Sequence, residues 1–212
     1  MTDERISPET QAEARPPASQ GPFLIIGLGN PGREYRYSRH NIGFMALDHL
    51  AGRLNVRFTR MQEKALVTDA RHIGRKLILA KPQTYMNLSG QAVASLARFY
   101  KVDLDNLLVV SDDIDLPTGS VRLRPGGGYG GQRGLESVIE KLGTDQFPRL
   151  RLGVGRPPGR MKAADYVLQE FKRSELDILR LVLEDASDAI LAYTTEGIQL
   201  AMTRFNRRYE DS

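Results

Sequence analysis

The chain has 212 residues, of which 41% are hydrophobic and 26% charged, the ordinary composition of a soluble globular protein. It contains no cysteine, which excludes disulfides, thiolate chemistry and cysteine-based metal sites. The apolar runs are too short to cross a bilayer and no secretory signal opens the chain, so we expect a cytoplasmic protein with no membrane partner. Residues 1–21 are rich in proline, serine, glutamine, alanine and glutamate, which predicts a disordered extension before one domain over residues 22–212.

The first predicted element of the domain is a strand. Phe23–Gly27 is a short apolar run typical of a strand that is buried on both faces. The polar segment Asn30–His40 follows it. The spacing of apolar residues then predicts a helix over Asn41–Leu54, which Asn41 or a close neighbour could cap.

The middle of the chain predicts two strands that pair, then a helix, then a third apolar strand. Val56–Thr68 alternates weakly and could pair with Lys76–Lys81. A helix is predicted from Leu88 or Ser89 to Tyr100, with Ser89 well placed as its N-cap. The next apolar strand is Leu107–Val110.

The second half of the chain continues the alternation. Val121–Arg124 predicts a strand at a basic edge, Leu135–Leu142 a helix, and Arg151–Gly155 another strand. Ser174–Phe205 shows long helical periodicity. Strands and helices that alternate in this way indicate a single α/β domain, with helices on both faces of a twisted, mostly parallel but mixed sheet.

Sheets of this kind place their sites at the carboxyl ends of the strands. Three polar segments follow predicted strands at that position: Gly27–Gly32, Asp112–Asp115 and Gly153–Arg156. We therefore expect these segments to converge in the folded protein.

Positive charge is concentrated in one stretch of the chain. Residues 117–162 contain nine Lys or Arg and three acids, an excess of +6 against +4 for the whole chain. Clustered cations beside glycine-rich backbone favour contact with phosphates, although a solvated basic face would give the same pattern.

The glycines of Gly27–Gly32 have the spacing of a dinucleotide-binding motif, and they follow a strand. That motif requires a helix to open inside it and an acid about twenty residues further on. Here Arg33–Arg39 has no apolar helical stripe, and the nearest carboxylate, Asp48, lies inside a predicted helix. We therefore expect no nucleotide cofactor, and we expect Asn30 to project into a cleft.

Three histidines are available for acid–base chemistry. His49 lies in a helical pattern and His72 in a polar turn, so both are interpreted as structural or solvated. His40 ends the polar loop directly before a helix. Because an imidazole has an unperturbed pKa near neutrality, His40 is the candidate general base.

Other chemistries have less support. No Gly-x-Ser-x-Gly elbow is present, and the histidines lack the spacing of a zinc helix. Asp112, Asp113 and Asp115 could hold Mg²⁺, although the residues from Asp115 onward read as a turn. The economical mechanism without a metal is a water activated by His40, with Asp112 orienting the imidazole and side-chain amides binding the substrate carbonyl. An activated ester would suit it.

Several segments resemble, in order and spacing, the bacterial peptidyl-tRNA hydrolase family. They are Gly27–Gly32 with Tyr35, Arg39–Phe44, Lys81–Gly90, Ser111–Pro117, Gly126–Gly134 and Phe147–Pro157. The resemblance covers roughly residues 23–208. It implies a carboxylic ester hydrolase that releases peptides from peptidyl-tRNA left by abortive translation, acting as a monomer and without metal or organic cofactor.

The resemblance also implies roles for single residues. His40 is the base and Asp112 holds it in its basic form. Asn30 contacts the acylated amino group, and Asn87 binds the peptide backbone and helps to place the carbonyl. The remaining residues that match the family are tyrosines near the terminal adenosine, Tyr35 and Tyr85, and a clamp for tRNA phosphates, Arg124 and Arg151.

One position departs from the family pattern. Where the family usually carries His-Asn, this chain has Gln132-Arg133. Arg133 can bind tRNA as the usual asparagine does, but arginine is longer, always charged and never an acceptor. Two readings stay open: a lineage variant with Arg133 on a phosphate or carbonyl, or a catalytically silent RNA-binding relative like the plastid splicing factors that resemble this family.

Overall fold

The structure is a computed structural model that describes residues 21–208, with side chains described as far as residue 206. The predicted N-terminal extension, apart from Gly21, lies outside the described residues. Within residues 21–208 no helix is both long and apolar enough to cross a membrane.

In residues 21–208, eight strands form one mixed sheet in the order β2-β3-β4-β1-β5-β7-β6-β8. The strands are β1 (Phe23–Gly27), β2 (Arg60–Gln62), β3 (Ala65–His72), β4 (Arg75–Pro82), β5 (Leu107–Asp113), β6 (Ser120–Arg124), β7 (Arg149–Gly153) and β8 (Arg207–Arg208). The central strands β4, β1, β5 and β7 are parallel neighbours, and the remaining pairs are antiparallel. The predicted mixed α/β sheet is confirmed, with the parallel part confined to its centre.

Six α-helices lie within the part of the chain that the structure describes. They are α1 (Ile42–Arg53), α2 (Ser89–Phe99), α3 (Arg133–Leu142), α4 (Ala163–Val167), α5 (Leu176–Glu196) and α6 (Ile198–Phe205). One hydrophobic core lies between the sheet and α1, α5 and α6; a second lies between the opposite face and α2 and α3. Because both faces of β1 are covered, all five of its residues are buried, which explains why its sequence does not alternate.

The predicted strands and helices are present, but their first and last residues differ from the predicted bounds. The predicted strand pair is β3 with β4, joined by Ile73 and Gly74, whose positive φ angles of 46° and 76° are those of a tight hairpin turn. His72 is the last residue of β3. The long helical region is interrupted at Gly197 (φ 87°), which separates α5 from α6.

Neither of the two predicted capping side chains forms a capping hydrogen bond. Ser89 is the first residue of α2 rather than its N-cap, and its buried hydroxyl has no hydrogen-bond partner among the described residues. Asn41 does occupy the N-cap position of α1, but its side chain makes no capping bond there. Its amide is used instead to hold Asn30, as described below. Local capping preference was overridden by a contact between residues distant in sequence.

Candidate active site

A cleft of about 470 Å³ lies at the carboxyl ends of the central strands. Six of the residues singled out from the sequence line it: Asn30, His40, Tyr85, Asn87, Asp112 and Arg133. They come from separate parts of the chain that the parallel strands β1 and β5 bring together. Met86, Gln132 and residues of α4 complete the walls.

His40 and Asp112 form a hydrogen-bonded pair in this cleft. His40 lies in a 3-10 turn, Arg39–Asn41, directly before α1, and Asp112 is the sixth residue of β5. The His40 Nδ1 atom is 2.9 Å from Asp112 Oδ2. The Asp112 side chain is 3% exposed and that of His40 is 13% exposed. The carboxylate is thus shielded from water, while the imidazole still reaches the cleft.

Gly43 permits the close approach that makes this pair possible. A Cβ atom at residue 43 would lie 2.5 Å from the Val110 carbonyl oxygen and 2.6 Å from that of Leu28. Only glycine therefore lets the first turn of α1 rest on the ends of β1 and β5. Because His40 lies three residues earlier, this contact sets its distance from β5.

Hydrogen bonds engage the backbone amide, the backbone carbonyl and the side-chain oxygen of Asn30. Its backbone amide donates to Asn41 Oδ1 (2.8 Å), and its carbonyl accepts from Asn41 Nδ2 (2.9 Å). The Met86 amide donates to Asn30 Oδ1 (2.8 Å), which settles the orientation of the side-chain amide. Asn30 Nδ2 has no acceptor within residues 21–208, so a donor is left facing the cleft.

Gln132 contacts the other oxygen of Asp112. Its Nε2 donates to Asp112 Oδ1 (3.0 Å), and its Oε1 accepts from the Leu135 amide (2.7 Å) at the start of α3. Gln132 is 9% exposed. The carboxylate is consequently held through both oxygens, by His40 on one side and Gln132 on the other.

Comparison with known proteins shows which family the chain belongs to. The family described as peptidyl-tRNA hydrolase matches residues 24–212. The chain belongs to the peptidyl-tRNA hydrolase family. The peptidyl-tRNA hydrolase of Carboxydothermus hydrogenoformans is 50% identical over 186 residues, which cover 87% of this chain and 98% of that protein. That of Desulforamulus reducens is 48% identical over 185 residues, which cover 87% of this chain and 89% of that protein.

A solved structure from the same family also matches this chain. The crystal structure of peptidyl-tRNA hydrolase from Acinetobacter baumannii matches with a TM-score of 0.83 at 30% sequence identity. The match covers 88% of this chain and 95% of that chain. The resemblance to the peptidyl-tRNA hydrolase family that the motifs indicated is therefore confirmed.

The glycine motif of this peptidyl-tRNA hydrolase family member does not open a helix. Gly27–Gly32 leads into a single 3-10 turn, Arg33–Tyr35, in place of the long helix that a dinucleotide site needs. A Cβ at Gly29 would lie 2.7 Å from the Phe44 ring. The glycine at position 29 is explained by packing against α1, without a nucleotide.

Two carboxylates at and just after the end of β5 are paired with arginines. Arg151 Nε donates to Asp113 Oδ2 (2.5 Å), and Arg156 donates to Asp115 Oδ1 (2.7 Å). In the part of the chain that the structure describes, no group of three or more His, Asp or Glu residues is placed to hold a metal. Of the three acids that the sequence offered for Mg²⁺, Asp112 contacts His40, while Asp113 and Asp115 hold β7 and the segment after it against the end of β5 and the loop that follows.

Of the two arginines of the predicted phosphate clamp, one already has a protein partner. Arg122 pairs with Arg151 in the register of β6 and β7, and Arg124 pairs with Arg149, so all four side chains share one face of the sheet. Arg151 is engaged with Asp113, and Arg149 is buried, with its guanidinium bonded to backbone carbonyls. Arg124 is exposed and forms no ion pair within the described residues.

The two predicted tyrosines differ in position. Tyr85 is 62% exposed and lines the cleft. Tyr35 is half-buried in the 3-10 turn and is not among the cleft-lining residues. Its neighbours Arg33 and Arg36 line a second, basic groove of about 900 Å³ that adjoins the cleft at Asn30.

Sequence reasoning missed the residues whose contacts hold Asn30, Asp112 and the His40 turn in place. Asn41 and Met86 fix Asn30, Gln132 fixes Asp112, and Arg39 ties the His40 turn to the cleft wall. The motif around His40 contains Arg39 and Asn41, which was the only signal that could have drawn attention to them. Nothing in the sequence showed what their side chains would contact.

Arg39 connects the turn that carries His40 to the segment of residues 163–175, part of which forms one wall of the cleft. Its guanidinium makes a two-pronged contact with Glu175 (2.9 and 2.7 Å) and lies between the rings of Tyr166 and Phe171. The Arg39 amide also donates to the Gln169 carbonyl (2.9 Å). Arg39 is 1% exposed, so this contact is shielded from water.

We expect Arg39→Met to lower the free energy of unfolding by about 3 kcal/mol, because it leaves the partly buried Glu175 carboxylate without its partner. That loss corresponds to roughly 6–12 °C in Tm for a domain of this size. Glu175→Gln is the matched variant and should cost less, since its amide oxygen still accepts from Arg39. Thermal unfolding of both variants measures the difference. Equal losses would show that the charge pair contributes little.

The same pair predicts an acid-sensitive stability. Burial alone would raise the pKa of the Glu175 carboxyl, but the hydrogen bonds from Arg39 and from the Lys172 amide outweigh it and lower the pKa below its ordinary 4.5. The stabilisation is therefore complete above pH 4.5 and is lost as the pH falls through the lowered value. The difference in stability between wild type and Arg39→Met should shrink over that range.

Proposed function

We propose that this chain hydrolyses the ester that joins the peptide to tRNA in peptidyl-tRNA, with His40 as the general base and without a metal. The observation that carries the proposal is the His40–Asp112 pair, at 2.9 Å, inside the cleft of a chain that belongs to the peptidyl-tRNA hydrolase family. Its relatives bear the name peptidyl-tRNA hydrolase.

Asp112 sets the tautomer of His40. A carboxylate can only accept hydrogen bonds, so the facing His40 Nδ1 carries the proton and donates it to Oδ2. The Nε2 atom is then unprotonated and free to accept a proton from water in the cleft. Asp112 is already bonded by Gln132 on its other oxygen, which keeps the carboxylate from rotating away.

The reaction follows from that arrangement. A water molecule gives one proton to His40 Nε2 while its oxygen attacks the ester carbonyl carbon, which produces a tetrahedral oxyanion. Asn87 is exposed in the cleft, and its amide can donate to that oxygen. When the intermediate collapses, the C–O bond to the ribose breaks and His40 Nε2 returns the proton to the leaving ribose oxygen. The products are a free peptide and tRNA.

Asn30 supports selection for an acylated amino group. Its Oδ1 is taken by the Met86 amide, so the group left for substrate is the Nδ2 donor. A peptide carbonyl can accept from that donor, whereas a free α-ammonium group offers only donors of its own. Asn30 thus favours the peptidyl ester over the unblocked aminoacyl ester, through the carbonyl that acylates the amino group.

The tRNA acceptor stem and 3′ end are the proposed partner of the basic residues. Arg124 is exposed and free to meet a phosphate, while Arg151 has one nitrogen engaged with Asp113 and the rest of its guanidinium partly exposed. Tyr85, exposed at the cleft mouth, can stack on the terminal adenosine. Tyr35, set back from the cleft, is proposed only as a neighbour of that end. We further propose that the protein acts in the cytoplasm as a monomer, through one complete cleft per chain.

Arg133 bears on the alternative of a silent RNA-binding protein. It is exposed at the start of α3, lines the cleft and forms no ion pair within residues 21–208. A guanidinium at this position can bind a phosphate or a carbonyl. The hydrogen-bonded His40–Asp112 pair and Asn30 line the same cleft as Arg133, which favours the active enzyme.

A single-turnover assay tests the proposed function. N-acetylaminoacyl-tRNA and unblocked aminoacyl-tRNA are incubated with excess enzyme, and release of the acyl group is followed. We expect rapid hydrolysis of the blocked ester only. Binding of both tRNAs without hydrolysis of either would establish the silent alternative, and Arg133→Asn would then show whether the arginine is its cause.

A further inference from the structure

We propose that Gln132 is a positioning residue for the reaction: it fixes the carboxylate of Asp112 and, through it, the tautomer and orientation of His40. The inference rests on the proposed function for its catalytic consequence. Its structural part, the state of the His40 ring, can be measured without any substrate.

Every hydrogen-bonding group of Gln132 is engaged. Its backbone amide donates to the Tyr129 carbonyl (3.0 Å), and its own carbonyl accepts from the Glu136 amide (3.0 Å). The side-chain Oε1 accepts from the Leu135 amide, and Nε2 reaches Asp112 Oδ1 and the Met86 sulfur (3.4 Å). Since Oε1 is held by a backbone N–H, the amide can present only its nitrogen to Asp112.

A purely structural role does not explain a glutamine at this position. Gln132 is the N-cap of α3, where a capping oxygen is all that the helix needs. Asparagine, aspartate and serine are the preferred residues for that task because their side chains are short. The longer side chain spans from the helix end to Asp112, and the bond to the carboxylate is what the additional length provides.

The consequence for His40 follows from the shape of the carboxylate. A hydrogen bond at Oδ1 fixes the carboxylate plane, so Oδ2 stays directed at His40 Nδ1. Without that bond the Asp112 side chain can turn about its χ2 torsion, which is broad for a carboxylate. His40 would then lose both its preferred tautomer and its alignment with the substrate.

The glycine-rich segment before α3 is connected to the same residue. Gly130 and Gly131, with φ angles of 56° and 79°, form the turn that the bond from Gln132 to Tyr129 closes. Both glycines line the cleft. Gln132 therefore links the cleft wall, the first turn of α3 and the catalytic pair in one set of bonds.

Gln132→Asn separates the two roles of the side chain. Asparagine retains a good capping oxygen for α3 but is one methylene too short to reach Asp112. We expect kcat to fall by roughly 10- to 100-fold, the usual weight of a hydrogen bond to a charged group, with KM and Tm near wild type. In Gln132→His, the imidazole N–H reaches further toward Asp112 than the asparagine amide does. This variant should therefore recover most of kcat.

Nitrogen NMR of the imidazole provides the substrate-free measurement. In wild type we expect the His40 signals of a single tautomer protonated on Nδ1, and in Gln132→Asn an averaged mixture of both tautomers. Ser137→Ala is the matched control, because Ser137 also ties α3 to a backbone amide, that of Gly90, but does not touch Asp112. It should leave the His40 signals unchanged.

The outcomes are distinct. A wild-type kcat with an unchanged His40 tautomer in Gln132→Asn would overturn the inference, as would a loss of kcat that Gln132→His does not recover. A tautomer change in a protein that hydrolyses no peptidyl ester would contradict the proposed function while supporting the positioning role of Gln132.

Discussion

His40→Ala should abolish nearly all hydrolysis while leaving the affinity for tRNA close to that of wild type. The variant removes the imidazole that takes the proton from water in the proposed mechanism, and a general base contributes roughly 10²–10⁴ in rate. We expect binding to persist because Arg124 and Arg151, the proposed phosphate contacts, lie on β6 and β7 and are not altered. Single-turnover rates on blocked aminoacyl-tRNA and binding of uncharged tRNA measure the two effects.

Two control variants test whether the effect is specific to His40. His72→Ala alters a histidine at the β3–β4 hairpin, far from the cleft, and should retain full activity. Arg124→Ala is the reciprocal change: we expect weaker tRNA binding with a shallower dependence on salt, because fewer counterions are released, and an unchanged rate for bound substrate. Substantial turnover by His40→Ala would remove His40 from the mechanism.

Asp112→Asn should lower kcat by as much as about 10⁴-fold, although the side chain is almost the same size. Gln132 Nε2 is a donor, so it selects the oxygen of the new amide and turns the amide nitrogen toward His40. His40 Nδ1 then has to accept, which places the ring proton on Nε2. The base that faces the substrate can no longer accept a proton.

This explanation can be separated from a general disturbance of the cleft. In Asp112→Asn with Gln132→Leu, the new amide is free to rotate and present its oxygen to His40, so the double variant should be more active than Asp112→Asn alone. If the two losses multiply instead, the tautomer is not the cause of the single-variant defect. Near-wild-type activity in Asp112→Asn would mean that the carboxylate does not orient His40.

The fold could be predicted from the sequence where local signals and burial agree. Phe23–Gly27 and Leu107–Val110 are apolar without alternation because both of their faces are covered by helices, and both are central parallel strands. The helix ends were predicted less well. Ser89 and Asn41 have the chemistry of caps, yet neither side chain caps its helix, since packing and a distant partner decide their environment.

The candidate site, too, was predicted from the sequence only in part. His40, Asp112, Asn30 and Asn87 were identified from residue chemistry and the resemblance, and the structure brings all four to one cleft. The phosphate clamp was less well anticipated: nothing in the sequence indicated that Arg151 would be engaged with Asp113.

By itself, the sequence determined the fold class, the family and the candidate base, because these depend on periodicity, on residue types and on motifs read along the chain. Only the tertiary structure decided how His40 is held: Asp112 lies 72 positions away, and Gln132 a further 20, on another element. Hydrogen bonds between residues so far apart depend on where β5 and α3 finally pack, and no local pattern records that position. Gln132, first noted as a residue that differs from the family pattern, is thus a contact to the Asp112 carboxylate.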